Sequence, residues 1–185
     1  MLAHQTYSWL LQNLNNFKGN YLEIGMWDGD GIRSLADSFT SKMFYAVDPF
    51  IEDGCTSHIS NVTKSNPLSE IRNKALNNIK NRKNVFLFEE TSSSFSNRMQ
   101  SEELSSLNIE VVFVDGDHSY DAVVLDSHLA MKILGNKSGI ILFDDLQVPD
   151  VQAGVAVFEN QYKDRIAKKT SRTAPYFDIF EINGI

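Results

Sequence analysis

Short apolar runs alternate along the chain with segments in which apolar residues recur at three- and four-residue steps. Most of these runs are nearly continuous, but the last one alternates apolar and polar residues. Nearly continuous apolar strands between helices are typical of a parallel sheet that is covered on both faces. The pattern therefore predicts an α/β, Rossmann-like, doubly wound fold. Its strands are expected at NYLEIG (20–25), MFYAVDPF (43–50), NVFLFEE (84–90), IEVVFVDGD (109–117), GIILFDD (139–145) and YFDIFEIN (176–183), the last as an edge strand that faces partly to solvent.

Segments with helical spacing lie between the strands, and the longest of them carries signals for both of its ends. Ser119 suits the N-cap of the helix that joins strands four and five, and Gly135 suits its stop. We expect an N-terminal helix within residues 1–19, and we interpret the irregular stretch 49–67 as a lid loop. Neither an internal repeat nor a linker is evident, so residues 1–185 are interpreted as one domain. The segments with helical spacing are 31–40, 67–80 and 119–135.

Composition and charge restrict the classes of partner. Of the 185 residues, 42% are hydrophobic, 17 are Lys or Arg and 24 are Asp or Glu, which gives a formal net charge of -7. An acidic surface is poorly suited to nucleic acid, because phosphate backbones are bound by clustered cations. No apolar stretch reaches the ~18 residues that a membrane helix needs, and the single cysteine, Cys55, cannot form an intrachain disulfide. We expect a cytoplasmic protein that binds neither nucleic acid nor membranes.

The sequence LEIGMWDGDG places glycines directly after the first predicted strand. In a doubly wound sheet, ligands bind beyond the carboxyl ends of the strands, where glycines let the backbone approach a ligand. Gly25 and Gly29 stand in this turn, Glu23 precedes it, and Asp48 ends the second strand, where an acid can bind ribose hydroxyls. The spacing G-x-x-x-G-x-G differs from the dinucleotide pattern G-x-G-x-x-G. It favours S-adenosylmethionine (SAM) over NAD as the cofactor.

Two further predicted strands end in acidic residues. Asp115 lies at the end of the fourth strand, and Asp144 and Asp145 lie at the end of the fifth. Carboxylates that are brought together repel one another unless a cation lies among them, and hard oxygen ligands suit Mg²⁺, Mn²⁺ or Ca²⁺. All three acids are therefore candidate metal ligands. His118 can take a proton from a bound hydroxyl near neutral pH, with Asp117 as the rival base. Alternatively, Asp117 only caps the next helix.

The blocks YLEIGMWDGDG, FYAVDPF and VVFVDGDHSYDAVVLDSHLAMKILGNKSGIILFDDL resemble class I SAM-dependent methyltransferases. Among these, they are most similar to the small metal-dependent O-methyltransferases of the macrocin and mycinamicin type. The resemblance implies a seven-stranded sheet whose last strand is antiparallel. It also implies roles for the residues named above. In the cofactor site, Glu23 and Gly25 would lie near the methionine part of SAM, Asp48 at the ribose, and Thr91 and Ser92 at the adenine. Asp115 would contact both the cofactor and the metal, and Asp144 and Asp145 would bind the metal. His118 or Asp117 would stand at the position of the base.

The leading interpretation is a SAM-dependent O-methyltransferase that acts on a hydroxyl of a small molecule, such as a sugar or a vicinal diol. Mg²⁺ or another divalent cation would assist the transfer. Two alternatives remain open. An NAD-dependent oxidoreductase would bind NAD without requiring a metal, and a non-catalytic Rossmann-like module would bind neither SAM nor a metal. A homodimer could form through an apolar edge strand or through the N-terminal helix.

Overall fold

Seven strands form one sheet in the computed structural model, which describes residues 5–51, 67–173 and 176–185. The strands are β1 (Asn20–Ile24), β2 (Phe44–Val47), β3 (Val85–Phe88), β4 (Ile109–Val114), β5 (Gly139–Phe143), β6 (Ile166–Thr173) and β7 (Tyr176–Ile182). The helices are α1 (Gln5–Asn13), α2 (Asp30–Ser38), α3 (Leu68–Ile79), α4 (Ser92–Arg98), α5 (Ser101–Ser106), α6 (Tyr120–Leu134) and α7 (Pro149–Gln161), with a short 3-10 turn at Leu14–Asn16.

The strand order in the sheet is β3-β2-β1-β4-β5-β7-β6. Strands β1 to β5 pair in parallel, whereas β7 runs antiparallel between β5 and β6. The predicted doubly wound α/β sheet with an antiparallel last strand is therefore confirmed. The strand order reverses between β1 and β4, and in sheets of this kind a crevice for ligands forms outside the carboxyl ends of the strands at that point.

The interpretation of YFDIFEIN as an edge strand is wrong. Strand β7 lies inside the sheet, because it pairs with β5 on one side and with β6 on the other. Its Phe177 and Phe180 are buried, and Asp178 forms an ion pair with Lys169 of β6 at 2.9 Å. The edge is β6, which was not predicted as a strand because its basic sequence has no apolar run. Lysines on an edge strand discourage pairing with a second sheet.

Alternate residues of the central strands pack on opposite faces of the sheet. In β4, Val112 and Val114 pack against α4, α5, α6 and α7, whereas Val111 and Phe113 pack on the face covered by α1, α2 and α3. All four side chains are buried. Helices shield both faces, which explains why the central strands read as continuous apolar runs in the sequence.

Helices α2, α3 and α6 lie close to the limits that their spacing predicts, and α1 lies within the predicted N-terminal segment. Helices α4, α5 and α7 were not predicted from the sequence. The predicted lid falls mostly outside the described residues, since the structure describes nothing between 51 and 67. Of the helices that are described, none combines the length and the hydropathy that a membrane span requires.

Helix α6 carries a buried carboxyl group, Asp126, that the sequence analysis did not single out. Its side chain is 2% exposed, and its Oδ1 has no hydrogen-bond partner among the described residues. Ser92 forms a hydrogen bond with this carboxyl group, and a Cβ on Gly116 would lie 3.0 Å from Oδ2. Asp126 therefore lies between the segments that follow β3 and β4. Burial above all raises the pKa of Asp126 from 3.8 to about 7, because the ionised form is poorly solvated there.

We expect Asp126 to make the folded protein less stable as the pH rises from about 5 to about 8. The folded protein holds the Asp126 proton up to about pH 7, whereas the unfolded chain releases it near pH 3.8. The stability contributed by this proton is therefore lost as the pH rises through the folded pKa, and the loss amounts to about 3 kcal/mol over this interval. Asp126→Asn cannot ionise and should lack this part of the pH dependence in urea unfolding.

Asp121→Asn is the matched control, because Asp121 is exposed on the same helix. This variant should keep the pH dependence of the wild-type protein. The assigned protonation of Asp126 would be contradicted if Asp126→Asn and the wild type lost stability equally between the two pH values.

Candidate active site

The turn between β1 and α2 passes so close to the end of β4 that one position excludes any side chain. Gly25 has a φ of +87°, and a Cβ there would lie 2.0 Å from the carbonyl oxygen of Asp115. The Gly25 N–H donates to the carbonyl oxygen of Val47, which ties the turn to β2. Gly29, with a φ of +73°, is the N-cap of α2. Trp27 also has a positive φ of +50°, a strain of the kind that is concentrated at functional sites.

Asp48 holds this turn through backbone N–H groups. Its Oδ2 accepts hydrogen bonds from the N–H of Met26 at 2.7 Å and of Trp27 at 3.0 Å, and its Oδ1 accepts one from Phe50 at 2.7 Å. Burial raises the pKa of Asp48, and the three hydrogen bonds oppose the rise. A carboxylate offers about four acceptor positions. The described residues occupy three of these positions, and a fourth could accept a hydrogen bond from a ligand such as a ribose hydroxyl.

Side chains of helix α3 also bind the turn between β1 and α2. Lys74 forms ion pairs with Asp28 at 2.5 Å and with Asp30 at 2.8 Å. Asn78 donates to the Asp28 carbonyl at 2.9 Å and to the Asp30 carboxylate at 3.0 Å. The Lys74 side chain is half-exposed, so its ion pairs add little stability. Their effect is to fix the position of the turn relative to α3.

Glu23 is fully buried at the end of β1, and two tyrosines orient it. The Tyr7 hydroxyl donates to Oε1 at 2.6 Å, and the Tyr21 hydroxyl donates to Oε2 at 2.7 Å. Burial, and next the charge of Glu23, raise the pKa of both tyrosines well above their usual range. Both therefore remain neutral donors. Glu23 was predicted as a site residue, whereas the tyrosines were not; Tyr7 reaches it from α1, which is separate from β1 in the sequence.

The side chains of Thr91 and Ser92, predicted to flank an adenine, are engaged within the protein. Thr91 is the N-cap of α4, and its hydroxyl accepts a hydrogen bond from the N–H of Ser94 at 3.1 Å. Ser92 forms a hydrogen bond with Asp126. These contacts tie the segment after β3 to α4 and α6.

Three side chains converge where β4 and β5 end. The Nε2 atom of His118 lies 2.9 Å from Oδ2 of Asp145 and 3.9 Å from Oδ1 of Asp115. One ligand atom from each residue lies within 4.8 Å of the other two, which is close enough for the three to hold one metal ion. The parallel register pairs Val114 with Phe143, so the acids leave the sheet from adjacent strand ends. Asp145 has a φ of +54°, again a strained conformation for a residue other than glycine.

Acidic groups outnumber basic groups around Asp115. Burial raises the pKa of Asp115 well above its usual range, and the charges of Asp144 and Asp145 raise it further, while His118 opposes the rise. Ionised carboxylates this close together are unfavourable in a buried site without a counter-charge. A divalent cation would reverse the balance and favour the ionised forms.

Asp144 faces a different set of partners. Its Oδ2 accepts a hydrogen bond from the Thr6 hydroxyl at 2.9 Å, and its Oδ1 accepts one from the N–H of Asp145 at 2.8 Å. Asp144 was predicted as a metal ligand together with Asp115 and Asp145. In the structure, His118 forms the closest group with those two acids, while both oxygens of Asp144 accept hydrogen bonds and its charge helps to raise the pKa of Asp115, after burial. Thr6 was missed because it stands 138 residues away in the sequence.

Asp117 forms a local hydrogen bond just before α6, whose N-cap is Ser119 as predicted. Its Oδ1 accepts a hydrogen bond from the N–H of Ser119 at 2.7 Å, directly before α6 begins. Asp residues commonly form this contact at the start of a helix. The other candidate base, His118, lies within the cluster, and its Nε2 faces Asp115 and Asp145.

Comparison with known proteins identifies relatives of this site. A family model described as a methyltransferase domain matches residues 22–146, which contain the glycine turn and the acids after β4 and β5. Uncharacterized protein R132 of Acanthamoeba polyphaga mimivirus is 27% identical over 164 residues, which cover 78% of this chain and 68% of the viral protein.

Solved methyltransferase structures share the fold. CalS11, a calicheamicin methyltransferase, has a TM-score of 0.66 at 12% identity, with coverage of 96% of this chain and 77% of CalS11. A precorrin-6y C5,15-methyltransferase from Geobacter metallireducens has a TM-score of 0.62 at 13% identity, with coverage of 100% of this chain and 90% of that enzyme. NodS is an N-methyltransferase from Bradyrhizobium japonicum whose structure is in complex with S-adenosylhomocysteine (SAH). It has a TM-score of 0.58 at 13% identity, with coverage of 96% of this chain and 86% of NodS. The matched family model and the shared sheet together show that this chain belongs to the class I SAM-dependent methyltransferases.

Proposed function

We propose that this methyltransferase transfers the methyl group of SAM to a hydroxyl oxygen of a small molecule, such as a sugar or another vicinal diol, with the help of a divalent cation. The observation that carries the proposal is the convergence of Asp115, His118 and Asp145 beside the glycine turn. Such a group can bind, orient and deprotonate a hydroxyl next to the cofactor. CalS11, described as a TDP-rhamnose 3'-O-methyltransferase, is a sugar-modifying enzyme of the same fold.

The residues of the cofactor half fit SAM. Glu23, held by Tyr7 and Tyr21, would lie near the methionine part, and Gly25 lets the backbone come close to it. Asp48 would accept a ribose hydroxyl at the position that its three bonds to described residues leave. Thr91 and Ser92 would form the wall beside the adenine. When bound, SAM supplies an electrophilic methyl group to the acceptor oxygen.

The residues of the acceptor half fit a divalent cation. Asp115 and Asp145 would hold it through carboxylate oxygens, which suit Mg²⁺ and Mn²⁺. The cation would lower the pKa of a bound hydroxyl. Burial and the charges of Asp144 and Asp145 raise the pKa of Asp115, while His118 opposes the rise, and a cation among these groups would offset the repulsion.

His118 would take the hydroxyl proton. Its Nε2 faces both carboxylates of the cluster, and Asp145 at 2.9 Å would stabilise the imidazolium that results. Asp117 is less suited to this role, since its Oδ1 accepts the hydrogen bond of Ser119. Methyl transfer needs no covalent intermediate with the protein, so most of the rate would come from alignment of the acceptor oxygen.

Calorimetric titration with SAH tests the cofactor half. The wild-type protein should bind SAH, and Asp48→Asn should weaken the affinity about tenfold. The physical reason is that an amide presents a donor on the side where Asp48 accepts hydrogen bonds from the backbone of the turn.

NAD serves as the control ligand, and Glu181→Gln serves as the control variant. Glu181 pairs with Lys168 on the outer edge of the sheet, so its substitution should leave SAH affinity unchanged. Binding of NAD in place of SAH would favour an oxidoreductase. Binding of neither ligand would favour a non-catalytic module.

His118→Ala tests the proposed base. Turnover should fall about a hundredfold, the lower range for loss of a general base, while SAH affinity stays unchanged. The measurement is single-turnover transfer of labelled methyl from SAM to an acceptor found by screening vicinal diols and catechols.

His128→Ala is the matched histidine control, because His128 contacts Gln161 between α6 and α7. It should keep wild-type turnover, and Asp117→Asn should lower turnover less than His118→Ala does. The base role would be refuted by weakened SAH binding at unchanged turnover. A parallel loss of Mn²⁺ affinity in His118→Ala would assign His118 as a metal ligand instead.

A further inference from the structure

Two consecutive side chains of helix α1 form hydrogen bonds with acidic residues of the site. The Thr6 hydroxyl donates to Asp144 at 2.9 Å, and the Tyr7 hydroxyl donates to Glu23 at 2.6 Å. The Tyr7 ring also fills the space of a side chain at Gly31, where a Cβ would lie 2.1 Å from it. Tyr7 thus fixes α1 against the cofactor half of the site, and this position brings Thr6 to the acceptor half.

From Asp144 the contacts continue into the acidic cluster. Oδ1 of Asp144 accepts the N–H of Asp145 at 2.8 Å, so the Asp144 carboxylate is held at both of its oxygens. Asp145 has a φ of +54°, a conformation that costs energy and persists only when its surroundings enforce it. The Asp145 carboxylate in turn lies 2.9 Å from Nε2 of His118.

We propose that Thr6 is a positioning residue of the active site. Through Asp144 it fixes the Asp144–Asp145 turn, and thereby sets where the Asp145 carboxylate lies relative to Asp115 and His118. Thr6 acts only through Asp144 in this role. The inference rests on the proposed function, in which Asp145 helps to hold the cation.

Packing of α1 does not by itself explain this contact. The helix and the turn that follows it have their own apolar anchors, Leu10 and Leu14, which are buried in the core. The Thr6 side chain is fully buried opposite a carboxylate, and burying both groups is unfavourable unless they are paired. A hydrogen bond to an ionised acceptor is about twice as strong as one between neutral groups. The contact is therefore suited to holding Asp144 in one orientation.

Mn²⁺ affinity, measured by electron paramagnetic resonance on the full chain, tests the inference. Thr6→Val removes the hydroxyl at nearly constant volume, and it should weaken Mn²⁺ binding about tenfold, as loss of a partner behind a metal ligand commonly does. Thr6→Ser keeps the hydroxyl and should keep the wild-type affinity. SAH affinity should stay unchanged in both variants, because neither changes Glu23 or Asp48.

Ser127→Ala is the matched control, because Ser127 is also buried, but its hydroxyl bonds to the Val124 carbonyl of its own helix at 2.7 Å. It should leave Mn²⁺ affinity unchanged. Wild-type affinity in Thr6→Val would overturn the inference. An equal loss in Thr6→Val and Thr6→Ser would overturn it as well, because the hydroxyl would then not be the group that matters.

A second readout requires no metal. In crystal structures, Thr6→Val should displace the Asp145 carboxylate from His118 or move Asp145 out of the left-handed region, whereas Thr6→Ser should not. An unchanged Asp144–Asp145 turn in Thr6→Val would overturn the inference. If the wild-type protein binds no Mn²⁺, the cation of the proposed function is contradicted, and the crystal structures still decide the role of Thr6.

Discussion

Acidic side chains are crowded together at the carboxyl ends of the central strands, and the rest of the site depends on this constraint. The register of β1, β4 and β5 aligns their carboxyl ends, where Glu23, Asp115, Asp144 and Asp145 stand. Like charges repel strongly where water is excluded. Hydroxyl and backbone donors therefore hold the acids: two tyrosines for Glu23, a threonine and an amide for Asp144, and three amides for Asp48 on the next strand.

The fold of this chain supports several acceptor chemistries. CalS11, NodS and the precorrin enzyme are named for methylation of a sugar oxygen, of nitrogen and of carbon positions. The shared fold therefore does not choose the acceptor atom, and the choice must be argued from the site. The proposed hydroxyl acceptor is argued from two carboxylates and an imidazole, a group that could hold a cation and remove a proton.

The sequence predicted where the strands end but not where the side chains at those ends point. Strand ends follow from apolar runs that stop in glycine or acid, and the turn at Gly25 does lie against both Asp48 and Asp115. Asp144 and Asp145 could not be told apart in this way. The left-handed backbone at Asp145 decides which carboxylate joins the cluster, and a hydrogen bond from a residue 138 positions away holds the other.

Two other features show the same limit. Asp126 stands in a helix with a regular apolar pattern, and its burial depends on contacts with the segments after β3 and β4. Strand β6 is basic and has no apolar run, because an edge strand buries little of its surface, and so its pattern gave no signal. Local patterns thus predict elements, whereas contacts between distant segments determine the chemistry of the site.

The most direct test of the proposed metal-assisted chemistry is an anomalous diffraction map from crystals soaked in Mn²⁺. The account predicts one peak in contact with carboxylate oxygens of both Asp115 and Asp145, at about 2.2 Å, beside Nε2 of His118. A map without a peak between these acids at saturating Mn²⁺, or with a peak bound only at Asp144, would contradict it.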